Sequence, residues 1–377
     1  MKVIKKARIK KGTRVLVRCD FDIPLKSGKI ADDQRLTNLI PTLQYLLKKK
    51  AKLVLVGHTG RPQGKTAKAL SLLPIKKRLE NLFDTQISFV KTDRYISKNI
   101  QTQVKDNQSN ITMLENLRFS DRERANCKRF AKNLSNLADI YINECFATSH
   151  RPHASFDAIQ SYLPSYAGLH LEQEIKNLSQ VLKKPKHPLL LIIGGAKTAT
   201  KIPVIEKFLP KAEYILLGGV VANTFLKALG YNIGKSKIDK DYLVKVKKIL
   251  AKDRAKIFLP VDVKLKGNRT KNFDELNAKD NILDLGSKTI TNYKKIIKSS
   301  QTIIWNGPLG YIEDKRFRTS TQALVKAILS SKAKTVIGGG DTHEVLKNKK
   351  IPKNIFISSG GGAMLEFLAG KKLPGIK

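Results

Sequence analysis

Short apolar runs alternate along the whole chain with stretches in which apolar residues recur every three or four positions. Arg14–Arg18 (RVLVR) predicts a strand. Residues 33–49 follow with Leu36, Leu39, Ile40, Leu43, Leu46 and Leu47 at helical spacing. Lys52–Val56, Ile87–Val90, Ile111–Leu114 and 139–142 predict further strands, with helices over 71–83 and 122–137. After residue 186 the rhythm repeats, with strands at Leu189–Ile193, Tyr214–Leu217, 256–259, Ile282–Leu285, 302–305, 335–337 and 355–357. Strands that alternate with amphipathic helices make parallel βαβ units. The fold class is therefore α/β, with two doubly wound, parallel-sheet, Rossmann-like domains. A helix over 172–182 followed by Lys-Lys-Pro-Lys-His-Pro marks the boundary between them.

In doubly wound sheets, ligands bind beyond the carboxyl ends of the strands, so the loops that follow each strand carry the functional signal. In the second half these loops are glycine-rich: 194–197 (GGAK), Gly218-Gly219, 338–342 (GGGDT) and 360–362 (GGG). Glycine admits a close approach of backbone N–H groups to phosphate, and a helix N-terminus adds about half a positive charge. Four such loops in one domain point to a polyphosphate site. The string Gly60-Arg-Pro-Gln-Gly64-Lys65-Thr66 is one residue short of a Walker P-loop and contains a proline, so it is not read as one. In the first half the strand ends carry Arg18, Asp20, Asp22, His58, Arg61, Arg118, Arg151 and His153, and Arg35 opens the first helix. Guanidinium groups bind carboxylates and phosphates in bidentate fashion. Convergence of Arg18, Arg35, Arg61, Arg118 and Arg151, with His58, His150 and His153 as further anion ligands, would suit a small, highly charged acid.

Composition narrows the classes. The 377 residues suit two domains, and no apolar run approaches the length of a membrane span. Three cysteines without a CxxC pair argue against a disulfide scaffold and for a reducing cytoplasmic setting. Lys plus Arg is 72 against 31 Asp plus Glu, a formal charge of +41. That excess suggests anionic partners. It is spread evenly, however: 35 of the basic residues lie in 1–185. The reading is a solvated basic surface, with no sequence-specific nucleic-acid binding.

The strings Arg-Cys-Asp-Phe-Asp-Ile-Pro (18–24), Gly-His-Thr-Gly-Arg-Pro (57–62), Leu-Glu-Asn-Leu-Arg-Phe (114–119), Gly-Gly-Ala-Lys (194–197), Trp-Asn-Gly-Pro-Leu-Gly (305–310), Gly-Gly-Gly-Asp-Thr (338–342) and Ser-Gly-Gly-Gly-Ala (359–363) resemble phosphoglycerate kinase, in order and over nearly the whole chain. The resemblance implies a monomeric hinge enzyme of glycolysis and gluconeogenesis. It would transfer a phosphoryl group in line between 1,3-bisphosphoglycerate and ADP on domain closure, giving 3-phosphoglycerate and ATP. It implies an N-terminal triose-binding domain of residues 1–165 plus 366–377, a hinge helix and linker over 166–186, and a C-terminal nucleotide-binding domain of 187–365. Asp20, Asp22, Arg35, His58, Arg61, Arg118 and Arg151 fall on triose-binding positions. Gly195, Ala196, Lys201, Gly219, Asn306, Pro308, Glu313, Gly339, Gly340, Asp341 and Thr342 fall on nucleotide positions. Gly360, Gly361 and Gly362 fall on a phosphate-binding helix N-terminus. The resemblance further implies Mg²⁺ held by Asp341, ribose hydroxyls on Glu313, and Arg35 and Lys197 as the catalytic pair around the transferring group.

The chain departs from the family pattern at several places. Asp22 stands for a usual Asn, Glu144 for Asp, Thr200 for Asp, Val220 for Gly, Ser287 for Pro and Ser359 for Thr. None of these removes Arg35, Lys197, Lys201 or Asp341. The alternative from another class is a basic nucleic-acid-binding protein on a kinase-like fold. No helix-turn-helix, RNA-binding aromatic or zinc-finger string supports it.

Overall fold

The computed structural model describes residues 1–26, 29–30 and 32–377. The chain divides into two compact units, Met1–Ile175 with Lys372–Lys377 and Lys176–Lys371.

In the first unit a wholly parallel seven-stranded sheet has the order β1-β9-β8-β2-β5-β7-β6. Its strands are β1 (Lys2–Val3), β2 (Arg14–Arg18), β5 (Lys52–Val56), β6 (Ser88–Val90), β7 (Ile111–Leu114), β8 (Ile140–Asn143) and β9 (Ser165–Ala167); β3 (Leu25–Lys26) and β4 (Lys29–Ile30) pair antiparallel in a separate two-stranded sheet. Both faces are covered, which explains why the strands are continuously apolar rather than alternating. Val15, Val17, Leu53 and Leu55 pack with Leu36, Leu39, Leu43 and Leu79 on one face, while Leu16, Val54 and Val56 pack with Ile100, Phe130 and Leu134 on the other. The chain leaves β2 toward β5 on one side and β8 lies on the other, so the topological switch falls between β2 and β8.

The second unit has a six-stranded parallel sheet, β10 (Leu189–Ile193), β11 (Tyr214–Leu217), β12 (Ile257–Phe258), β16 (Thr302–Asn306), β17 (Lys334–Gly338) and β18 (Ile355–Ser358), in the order β12-β11-β10-β16-β17-β18. Its switch point lies between β10 and β16, whose residues pair from Leu189↔Thr302 to Ile193↔Asn306. Trp305 is wholly buried among Leu190, Ile192 and Ile337.

Four expectations need correction. Ile282–Leu285 is a strand, β15, but it pairs antiparallel with β13 (Asp262–Leu265) in a small sheet with β14 (Thr270–Asn272) rather than joining the parallel sheet. The stretch 122–137 is two helices, Asp121–Arg124 and Lys128–Ser135, because Asn126 adopts a left-handed φ of 52° between them. The C-terminal helix Gly361–Leu368 packs on the helix Thr198–Phe208, so residues 366–371 sit in the second unit, and 372–377 alone belong to the first. There Asn143 Nδ2 donates to the Gly375 carbonyl at 2.9 Å, and a Cβ on Gly375 would lie 2.9 Å from Ser149. The boundary between units falls inside the helix Leu169–Lys183, so 166–175 go with the first unit rather than with a separate linker.

Candidate functional site

The carboxyl end of β2 is organised by a buried cation. Arg18 is fully enclosed and lies 4.2 Å over the Phe156 ring. It donates from Nε to Ser155 Oγ (2.8 Å), from Nη1 to the Cys19 carbonyl (2.6 Å) and from Nη2 to His58 Nδ1 (2.6 Å). Ser155 in turn donates to the buried Glu123 through both its amide and its hydroxyl. A guanidinium has no acceptor, so His58 Nδ1 must accept and the ring proton sits on Nε2. Burial and the charges of Arg18 and Arg118 hold His58 well below the usual imidazole range, which keeps the ring neutral. His58 Nε2–H is then a buried donor with no hydrogen-bond partner; Asp22 Oδ2 is 3.9 Å away.

Other groups around this end also have unfilled hydrogen-bonding capacity, an acceptor on Asp20 and a donor on Arg118. Asp20 accepts from Arg35 Nη1 at 2.6 Å through Oδ1, while its Oδ2 has no partner. Arg118 donates to the Gly60 carbonyl at 2.9 Å, and its Nε has no partner. Burial and the charge of Arg18 push Arg118 down to about 10. Burial, then Arg118 and Arg18, push His153 down to about 3. Asp22 Oδ1 accepts from the Gly60 amide at 2.9 Å and so pins the loop after β5. Asn116 fixes the Arg118 loop, donating to the carbonyls of Thr59 and Leu70 and accepting from the Arg118 amide. Buried polar groups are normally paired. Unpaired donors beside crowded arginines are groups suited to receive an anion. Asp20, Asp22, Arg35, His58 and Arg118 are brought together here, whereas Arg61 and Arg151 stand exposed in the loops after β5 and β8.

In the second unit, four helices begin just beyond strands of the parallel sheet: Thr198–Phe208 after β10, Gly219–Ala228 after β11, Gly340–Leu346 after β17 and Gly361–Leu368 after β18. Their N-caps are Lys197, Gly218, Gly339 and Gly360, and none supplies a side-chain cap. First-turn amides without caps are the physical basis of anion binding at helix N-termini. The glycines also serve the loops themselves. Gly194 N–H donates to Asn306 O (3.0 Å), Gly195 N–H to Pro308 O (2.7 Å) and Gly219 N–H to Leu309 O (3.0 Å). A Cβ on Gly194 would lie 2.1 Å from the Pro308 carbonyl oxygen, and one on Gly219, at φ +60°, would lie 2.9 Å from Gly195 N. The Thr342 hydroxyl accepts from the Gly307 amide, tying the β17 loop to the β16 loop.

Lys201, on the second turn of Thr198–Phe208, is 7% exposed and donates to Asn306 Oδ1. Burial lowers its ammonium to about 8; the Asp341 carboxylate opposes this and Lys197 adds to it. Asn306 Nδ2 and Thr198 Oγ1 are buried without partners. Ala196, Lys197, Gly340, Asp341, Glu313 and Gly362 are exposed, Gly195, Gly219, Gly339 and Gly361 are half-buried, and Pro308 and Gly360 are buried. No cluster of three metal-ligating side chains exists among the described residues. The single exposed carboxylate of Asp341 fits a Mg²⁺ ion whose remaining ligands are phosphates and water.

Several contributors were not singled out from sequence. Ser155, Phe156 and Glu123 set the position of Arg18, and so the tautomer of His58. Their role depends on which loop lies beside β2, and no local string reports that.

A cation-lined basin in one Rossmann-like unit and uncapped helix N-termini at the strand ends of the other are the features of a two-domain phosphotransferase. The family model for phosphoglycerate kinase matches residues 4–371. The chain is 38% identical over 379 residues to the phosphoglycerate kinase of Pelotomaculum thermopropionicum, covering 97% of this chain and 96% of that one. It is 40% identical to that of Clostridium botulinum, covering 97% and 95%. Solved phosphoglycerate kinases from Coxiella burnetii and Pyrococcus horikoshii superpose with TM-scores of 0.86, at 34% and 29% identity, over 99% and 100% of this chain and 97% of each of theirs. The chain belongs to the phosphoglycerate kinase family. It is an enzyme, a glycolytic phosphotransferase with the two-domain parallel α/β fold expected from the sequence. No helix among the described residues is long and apolar enough to cross a membrane.

Proposed function

We propose that the chain transfers the acyl phosphate of 1,3-bisphosphoglycerate to ADP, and reversibly that of ATP to 3-phosphoglycerate, in line and on closure of its two units. The observation that carries this reading is the cationic basin of the first unit, whose buried donors lack partners. Within it, the neutral His58 donates from Nε2, and Arg118, Arg61 and Arg151 bind the carboxylate or phosphate of the triose. An anion beside Arg118 offsets the burial that lowers its pKa. Asp20 fixes Arg35 through the 2.6 Å bond, so that the guanidinium meets the phosphoryl oxygens already oriented.

In the second unit, the helix N-termini after β10, β11, β17 and β18 support the nucleotide phosphates, with Gly195, Ala196, Gly219, Asn306, Pro308, Gly339, Gly340 and Thr342 as the framework. Glu313 takes the ribose. Bound Mg²⁺ would be held by Asp341 and would neutralise phosphate charge. Arg35 and Lys197 draw charge from the equatorial oxygens in the transition state.

The bond from phosphorus to the acyl oxygen breaks, and one from phosphorus to a β-phosphate oxygen of ADP forms. The acyl oxygen leaves as a carboxylate and the attacking oxygen is already an anion, so no proton moves and no general base is required. The three free cysteines support a reducing, cytoplasmic setting. A coupled assay of ADP formation from MgATP tests the reading. It should depend strictly on 3-phosphoglycerate, and its absence in folded, Mg²⁺-supplied protein would refute it.

A further inference from the structure

The amino-terminal end of the second sheet carries a feature the reaction does not use. A groove of about 950 Å³ opens there, lined by residues that enter β10, β16, β17 and β18. The loops of the candidate nucleotide site are at the other end of these four- and five-residue strands, roughly 15 Å away at about 3.3 Å per residue. Lys184, Lys186, Lys294, Lys298, Lys332 and Lys353 line the groove together with Lys334, and no lining residue is acidic. None of these seven lysines is in an ion pair among the described residues, although Lys245, Lys256 and Lys271 elsewhere in the unit are paired with Glu206, Asp253 and Asp280.

The floor is built rather than fluid. Thr302 Oγ1 accepts from the Lys186 amide and donates to the Lys186 carbonyl, and Asn354 Nδ2 donates to the carbonyls of Ser331 and Ala333. Lys334 is held by Gln180 Oε1, and burial followed by the charge of Lys176 lowers its pKa. Seven lysines and no acidic residue in the lining give this concavity a positive potential, and an anion that bridges several of them would be drawn to it.

We propose that this groove is a binding site for a short chain of linked phosphates. Lysine ammoniums on flexible stems act as hydrated point charges that suit phosphate oxygens. The volume matches that of small-ligand pockets. Single-stranded nucleic acid would need aromatic platforms for its bases, and Phe356 is the one aromatic in the lining.

The test is a calorimetric titration of the whole protein with inorganic tripolyphosphate, at low and at physiological salt. It compares the wild type with a variant combining Lys294→Gln, Lys298→Gln and Lys332→Gln, and with the corresponding triple change to Arg. All three lysines are exposed, so folding is checked by far-UV circular dichroism and by unchanged kcat and KM for nucleotide. The Gln variant should lose a tripolyphosphate-binding component by at least tenfold, and the Arg variant should keep it. Titrations of the wild type and the Gln variant that superimpose would overturn the proposal. So would tighter binding of a single-stranded oligouridylate than of tripolyphosphate through the same three lysines.

Discussion

Lys201→Met offers a measurement in which stability and binding move in opposite directions. The ammonium is 7% exposed, and its pKa falls from 10.5 to about 8. At pH 7 that drop corresponds to about 3 kcal/mol of folding free energy given up to keep a charge in the interior. Methionine conserves the volume and removes the charge, but leaves Asn306 Oδ1 without its donor, which costs about 1–3 kcal/mol. The net effect at pH 7 runs from roughly zero to a gain of about 2 kcal/mol. The pH dependence is sharper. Between pH 8 and 10.5 the unfolded chain binds this proton and the folded chain does not, so raising the pH stabilises the wild type. From pH 7 to 10 the wild type should gain about 2 kcal/mol relative to the variant, and titrations common to both proteins cancel. Trp305 is the only tryptophan and lies buried in the second unit, so its emission in a urea series reports on that unit. Nucleotide affinity should fall in the same variant, because the ammonium that would meet a phosphate is gone. A stability difference that does not vary between pH 7 and 10, or a variant several kcal/mol less stable at both, would refute the argument that Lys201 is buried at a cost.

Further outcomes follow from the same geometry. Replacing Arg35 or Lys197 by Ala should lower kcat on the order of 10³-fold or more with a smaller change in KM; steady-state kinetics with near-normal kcat would remove them from the transition state. Asp22→Asn keeps an oxygen for the Gly60 amide and removes a carboxylate beside an anionic ligand, so 3-phosphoglycerate should bind equally or more tightly by calorimetry; a tenfold loss would contradict this. Gly219→Ala places a methyl against Gly195 at a left-handed φ, and should raise the nucleotide KM and cost at least about 1 kcal/mol in the Trp305 transition; an unchanged protein would show that these loops do not interlock. Binding of 3-phosphoglycerate should weaken only modestly from low to physiological salt, while random-oligonucleotide binding should collapse; salt-resistant, sequence-selective oligonucleotide binding would restore the nucleic-acid reading.

How much of this was legible in the sequence depended on the range of the forces involved. β10, β16 and β17 are buried on both faces, and their continuous apolar runs marked them to within a residue. β13 and β14 are short and polar by turns, and β13 becomes a strand only by pairing with β14 on one side and β15 on the other, so the place of Ile282–Leu285 in a small antiparallel sheet is not visible in its own apolar run. The break at Asn126 is a single left-handed residue inside an otherwise helical pattern. In the site, arginines and glycines at strand ends were visible as residue types. Their hydrogen-bond partners were not: the Gly194, Gly195 and Gly219 amides donate to carbonyls 90 or more residues away, and Arg18 is fixed by the distant Ser155 and His58 as well as by the adjacent Cys19 carbonyl.

The proposed reaction passes a phosphoryl group directly between two anions, with neither water nor a protein side chain as an intermediate acceptor. Single-turnover mixing of the protein with MgATP labelled in the γ-phosphate and with 3-phosphoglycerate, quenched over milliseconds to seconds, tests it most directly. The label should pass from ATP to the acyl phosphate of 1,3-bisphosphoglycerate with no lag, no labelled protein and no excess free phosphate. Label that appears first on the protein, or that leaves as inorganic phosphate without an acyl phosphate, would contradict it.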